Sequence, residues 1–137
     1  MAGLLTHVII SLISAIAVFF IFYKSRFKIF YSAFIFIGNL IPDLIDFGIT
    51  GIKILSFNPR VIMRDSWFSI LALFAHSFRN WAVFALIVIL IFLILYGLKI
   101  VSKRFFYAVV ICVVLLVFGV VIHLYLDASI IERSVWI

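Results

Sequence analysis

In "VIHLYLDAS", residues 121–129, His123 and Asp127 stand four positions apart at the end of a long apolar run. Residues at i and i+4 of a helix share one face about a turn apart, so this imidazole and carboxylate can point at the same ion. In "GNLIPDLID", residues 38–46, Asp43 and Asp46 stand three apart, again on one face if the turn continues past Pro42. His7 lies near the start of the first apolar run and His76 just before the third. Imidazole mixed with carboxylate suits zinc, manganese or iron, whereas calcium and magnesium prefer shells of oxygen alone. Three histidines and three aspartates suffice for one ion, or for two bridged by a carboxylate.

The elements that carry these residues follow from composition. The chain has 137 residues, 69% hydrophobic and 12% charged, with a mean hydropathy of +1.45. Soluble domains run about 45–50% apolar and about 25% charged, and none of this size could hide so much apolar surface. The expected solvent is lipid and the expected partner a bilayer. The length fits one domain, residues 1–137. Cys112 stands alone, so it forms no internal disulfide and leaves the redox compartment unread. The first apolar stretch lacks a basic flank before it and a small-residue cleavage pattern after it, and reads as a retained span.

Apolar runs at about 4–23, 29–47, 77–98 and 105–126 each approach the ~20 residues a helix needs to cross the hydrocarbon core. Helices are required, since backbone groups facing lipid must be satisfied within the segment. The expected fold is therefore all-α, an integral membrane protein of four antiparallel transmembrane helices. The connection 48–76 mixes Gly, Asn-Pro and charges, which are boundary signals. Within it "WFSILALFA", 67–75, is too short to cross and reads as an interfacial or re-entrant segment leading into His76.

The charge of +6 does not form one patch. Lys24, Arg26 and Lys28 make one cluster and Lys99, Lys103 and Arg104 another, each a short break between apolar runs. Anionic headgroups explain that placement, so nucleic acid is not an expected partner. Tyr23, Tyr31, Tyr96 and Tyr107 flank the basic loops and mark one membrane face. Trp67, Trp81, Tyr125 and Trp136 mark the other. Four alternating spans put both basic clusters on one side, and His7, Asp43, Asp46, His76, His123 and Asp127 all at the opposite face. A lone His7 at a helix end is commonly a headgroup-level residue, and Asp43 after Pro42 a plain turn residue. Ionisable groups within spans are nonetheless functional candidates by default, and independent placement would rarely gather six of them. The basic residues divide six against five between the faces. The short loops are taken as cytoplasmic, with the site facing outward.

"THVI" at 6–9, "GNLIPDLID" at 38–46, "AHSF" at 75–78 and "HLYLD" at 123–127 resemble the membrane-bound metal-dependent hydrolase family, also described as LexA-binding inner-membrane hydrolases. That family is small and four-span. It carries an early Thr-His, a Gly-x-x-x-Pro-Asp-x-x-Asp-like element, a Thr-His-Ser and a late His-x-x-x-Asp. The order and spacing match across nearly the whole chain, and specificity comes from the order of all four. More distantly, the Pro-Asp and His-x-x-x-Asp elements look like those of zinc-dependent phospholipase C and nucleases. One departure is clear: the family's His-Arg-Gly before Thr-His-Ser has no histidine here, so a ligand of the family's set is absent, with Arg64 a candidate replacement for the arginine.

The resemblance implies a divalent metal, zinc first, held by His7, Asp43, Asp46, His76, His123 and Asp127. The motif puts Asp43 on the metal, which leaves Asp46 as general base or bridging ligand. Arg79, three residues after His76, could clamp a phosphate bidentately, with Arg64 second; a snorkelling interfacial role explains Arg79 equally well. The expected function is metal-dependent hydrolysis of a phosphate ester or lipid-linked substrate, a phospholipid for instance, at one face of a cell membrane or of a viral or organelle envelope. The non-enzymatic alternative is a small structural or assembly protein with a degenerate metal site. A metal-free histidine phosphatase is set aside, because Val117 stands where that class has Ser-Arg and no Pro-Ser-Gly-His occurs.

Overall fold

The computed structural model describes residues 3–129; Trp136 and Arg133 lie outside them. Seven α-helices run in order: α1 (Leu4–Ile21), α2 (Lys28–Asp43), α3 (Ile49–Ile54), α4 (Pro59–Ile62), α5 (Ser66–Ala75), α6 (Phe78–Gly97) and α7 (Lys103–Ser129), with a π-helical turn, Leu44–Gly48, joining α2 to α3. No strand occurs among the described residues. Four helical stretches are long and apolar enough to cross a membrane: Leu4–Ile21, Lys28–Ile54, Phe78–Gly97 and Lys103–Ser129. The ten-residue α5 is apolar but too short to cross.

The second stretch runs past the expected end near 47, as far as Ile54. Pro42 has no N–H for the preceding turn, which usually breaks or kinks a helix. Here the helix widens instead: the Leu44 N–H reaches the Leu40 and Ile41 carbonyls, and the π-helical turn follows. Such single-turn widenings often mark functional positions. The stretch ends where Leu55 adopts φ 52° and the Ser56 N–H returns to the Gly51 carbonyl at 3.0 Å.

The connection to α6 is tightly capped. Asn58 accepts from the Arg60 N–H at 3.0 Å, with Pro59 in the first turn of α4. Asp65 caps α5 by accepting from the Trp67 N–H at 2.8 Å and pairs with Lys53 Nζ at 2.9 Å. The hydrogen bond from Lys53 holds the Asp65 carboxyl below the usual carboxylate range. Phe68 of α5 then packs on Phe47 of the π-helical turn, ring centroids 4.9 Å apart.

The most extensive helix–helix contact is between α2 and α7, followed by α1 with α2. Gly38 and Gly119 make it possible. A Cβ on Gly38 would fall inside the Leu116 carbonyl, and one on Gly119 would lie 2.5 Å from the Ile35 carbonyl oxygen and 2.8 Å from the Asn39 nitrogen. Hydrophobic collapse does not drive helices together in lipid, so close backbone approach at small residues is a main source of packing energy there. Below this crossing, Val18, Tyr31, Ile35, Ala108 and Cys112 form one core cluster; at it, Trp81, Leu116 and Val120 form another. Trp81, expected as a face marker, is instead buried, and its indole N–H donates to the Ala75 carbonyl at 2.6 Å. That bond ties the start of α6 to the end of α5 across His76.

Candidate metal centre

All six candidate ligands come together. His7 arrives from the first turn of α1, Asp43 from the end of α2 and Asp46 from the π-helical turn. His76 caps α5, and His123 and Asp127 occupy the last two turns of α7. His7, Asp46 and His123 have fully buried side chains, while those of Asp43, His76 and Asp127 are 15%, 19% and 12% exposed. These three therefore form the open side of the cluster.

Four atoms share one point. His123 Nε2 lies 3.1 Å from His76 Nε2, 3.6 Å from Asp43 Oδ1 and 3.4 Å from Asp127 Oδ2. His76 Nε2 lies 3.9 Å from that Asp43 oxygen and 3.3 Å from that Asp127 oxygen. Donors at about 2.1 Å from a tetrahedral zinc stand about 3.4 Å from one another. Five of the six separations in this set thus bracket the edge of a zinc tetrahedron. The donor chemistry fits as well, since two neutral imidazoles and two carboxylates make a neutral centre with a divalent ion.

Two of the ligands, His123 and Asp127, are hydrogen-bonded from behind, and His76 has a carboxylate near its far nitrogen. His123 Nδ1 donates to the Asn39 carbonyl at 2.8 Å, which leaves the lone pair on Nε2. Asp46 Oδ2 stands 3.6 Å from His76 Nδ1, while its Oδ1 accepts from the Phe47 N–H at 2.6 Å. The π-helical turn sets this up: it opens the angle between Asp43 and Asp46, so one reaches Nε2 of His76 and the other Nδ1. His7 Nε2 lies 3.2 Å from Asp127 Oδ1 and its ring stacks on His123 at 4.1 Å. Backing of ligand imidazoles and carboxylates in this manner is the usual companion of a metal site. Burial lowers the pKa of His76, but the Asp127, Asp46 and Asp43 carboxylates more than offset it and raise the value above that of an ordinary histidine.

Overlapping trios with ligating atoms within 4.8 Å of one another are His7–Asp43–His123, His76–His123–Asp127 and Asp43–Asp46–His76. Arg79 does not join them. It is exposed on the first turn of α6, and no lysine or arginine makes an ion pair with the cluster among the described residues. Arg64 is also exposed, after α4.

Two residues of the site went unread in the sequence. Asn39 is fully buried, its Nδ2 donating to the His7 carbonyl at 3.2 Å and to Ser11 Oγ at 2.8 Å. Ser11, also buried, donates to the His7 carbonyl. The signals were available: Asn39 is one turn before Asp43, Ser11 one turn after His7, and both are polar groups inside apolar runs.

Comparison with family models, with curated proteins and with solved structures gives no match for this chain.

Proposed function

We propose that this chain is an integral membrane protein of four antiparallel spans, and that it works as a metal-dependent hydrolase on a phosphate-ester or lipid-linked substrate at one membrane face. The observation carrying this reading is the fit of His76 Nε2, His123 Nε2, Asp43 Oδ1 and Asp127 Oδ2 to a zinc tetrahedron. Similarity of the four sequence motifs to membrane-bound metal-dependent hydrolases supports it. A divalent metal, zinc first, supplies Lewis acidity and lowers the pKa of water at the site. The chain's own groups do the rest. Asn39 fixes the imidazole of His123 with its Nε2 lone pair inward, the nearby Asp46 carboxylate favours the same tautomer of His76 electrostatically, and His7 steadies Asp127. Asp46 acts through His76, because it is fully buried behind that ring. Substrate enters over Asp43, His76 and Asp127, the exposed side, and Arg79 meets its phosphate at the rim. With the short basic loops cytoplasmic, this side faces outward.

A second reading is favoured by one observation: protein atoms occupy all four tetrahedral corners, as in structural zinc sites, whereas catalytic sites keep one position open. On this reading the metal staples α2, α5 and α7 in a non-enzymatic membrane protein. Purified full-length protein separates the two. Metal content is measured by elemental analysis, and hydrolysis with chromogenic phosphomonoester and phosphodiester probes, before and after chelation. Hydrolysis that disappears on chelation and in His76→Ala supports the enzyme. Stoichiometric metal without hydrolysis selects the staple, and protein without metal after zinc loading removes both.

A further inference from the structure

The basic end of the molecule, far along α7 from His123, carries a second site. All five acidic residues of the chain are Asp43, Asp46, Asp65, Asp127 and Glu132. None falls in 22–31 or 96–108, where Lys24, Arg26, Lys28, Lys99, Lys103 and Arg104 cluster. Six cations thus share two neighbouring segments without a carboxylate. Between those segments lies an open pocket of about 350 Å3, with Arg26, Tyr31, Arg104 and Tyr107 in its wall. Neither arginine has an ion-pair partner among the described residues. Arg26 is held over the Phe27 ring, 4.7 Å from its centroid. Tyr31 is only 4% exposed, and its hydroxyl makes no hydrogen bond to any described residue. A phenol whose ring is buried, in the wall of a pocket carrying two guanidinium groups, can offer its hydroxyl to an acceptor seated there.

The pocket has an apolar neighbour. Phe27 and Ala108 also line a second cavity, of about 400 Å3, which lies among α2, α6 and α7 and reaches Cys112 and Leu116. Its walls are apolar throughout, with Phe34, Phe84 and Phe92 among them. Helix α6 leaves it unfilled, having only Trp81 buried along its whole length. A cationic pocket that shares Phe27 and Ala108 with an adjacent apolar cavity matches one kind of molecule, an anion on an acyl chain.

We infer that this end binds an anionic phospholipid, its phosphate between Arg26, Arg104 and the Tyr31 hydroxyl and one acyl chain in the cavity against Cys112. Guanidinium forks suit phosphate oxygens, and basic side chains near the headgroup layer favour anionic lipid generally. The inference rests on the bilayer placement proposed above and is independent of the metal.

Native mass spectrometry of the full chain, delipidated in detergent and given phosphatidylglycerol or phosphatidylcholine, counts the lipid retained. Parent protein should keep one phosphatidylglycerol in preference to phosphatidylcholine. Arg26→Gln with Arg104→Gln should reduce that preference roughly thirty-fold, and Tyr31→Phe should reduce it without disturbing helix content. Lys24→Gln with Lys99→Gln, which removes equal charge outside the pocket, should leave it unchanged; an equal loss there would mean a diffuse field and overturn the site. Val109→Phe, which narrows the cavity, should abolish lipid retention. Unchanged retention in Val109→Phe, or complete displacement of the lipid by inorganic phosphate, would overturn the acyl-chain half of the inference. His123→Ala, which tests the metal, should retain lipid like the parent. A chain that stays out of nanodiscs of either lipid overturns the bilayer placement and this site with it.

Discussion

The Nδ1 atom of His123 stands 2.8 Å from the main-chain carbonyl oxygen of Asn39, and this bond decides what the histidine can do. A carbonyl only accepts, so Nδ1 carries the proton and Nε2 presents its lone pair to His76, Asp43 and Asp127. The bond exists because α2 and α7 touch at Gly38 and Gly119, one residue and one turn away from its two ends. Backbone packing between two apolar helices thereby selects the tautomer a metal requires.

Gly119→Ala should break that arrangement. The new methyl meets the Ile35 carbonyl at 2.5 Å and the Asn39 nitrogen at 2.8 Å, both rigid backbone. Overpacking of this type costs about 1–3 kcal/mol, and here it also pulls Asn39 from His123. Thermal stability and metal per protein should fall together. Gly97→Ala is the control, since its methyl would meet nothing within 4 Å. Parent-like metal content in Gly119→Ala would show that the helix crossing does not set the ligand.

His123→Ala and Asp127→Ala should each lower metal content sharply, with the double substitution costing little more than either alone. Residues that act as one unit are non-additive. The measurement is metal per protein after detergent purification and dialysis, in parent, singles and double. Equal content in all four would remove the site. Additive, partial losses would instead indicate two separate ions.

The pH dependence follows from His76, whose pKa is raised by Asp127, Asp46 and Asp43 against the effect of burial. In the metal-free protein its protonated form contributes stability. That contribution is complete below the ordinary histidine value near 6.5 and is lost as pH rises through the higher folded value. Metal binding needs the neutral ring and releases the proton. Chelated protein should therefore lose stability with rising pH over that window while metal affinity rises. Thermal melts and zinc titrations at matched pH check both slopes, and parallel slopes would exclude His76 as a ligand.

Much of this was legible in the residues. Four apolar runs near 20 residues gave four helices long and apolar enough to cross a membrane, because a continuous apolar run with few breakers lets the backbone satisfy its own hydrogen bonds throughout. The six acidic and imidazole groups, each expected near the end of an apolar run, do converge. Three features were not legible. The sequence left open whether the turn continues past Pro42, and the helix absorbed the proline by widening into a π-helical turn against which α5 packs. Trp81 read as an interfacial tryptophan because composition cannot show the Ala75 carbonyl awaiting its N–H. The partners behind the ligands, Asn39 above all, act through a main-chain carbonyl that any residue type could supply.

The sharpest prediction concerns Asp46→Asn, a substitution that conserves size and most hydrogen-bonding capacity. Asp46 Oδ1 accepts from the Phe47 N–H at 2.6 Å, and an asparagine must keep its carbonyl oxygen there. Its amide NH2 then faces His76 Nδ1, where the carboxylate Oδ2 now stands at 3.6 Å. A donor in that position forces Nδ1 to accept, which moves the His76 proton to Nε2, the atom turned toward His123, Asp43 and Asp127. A protonated Nε2 cannot ligate. Partners of this kind behind metal ligands typically change affinity about 10–100-fold, and Asp46→Asn should weaken zinc binding by that amount. Asp46→Ala should be milder, because it removes the acceptor without installing a donor. Zinc affinity by competition with a chromogenic chelator gives the order, and nitrogen-15 shifts of His76 report its tautomer directly. If Asp46→Ala proves the more damaging, Asp46 itself holds the metal, and its place is beside Asp43 and not behind His76.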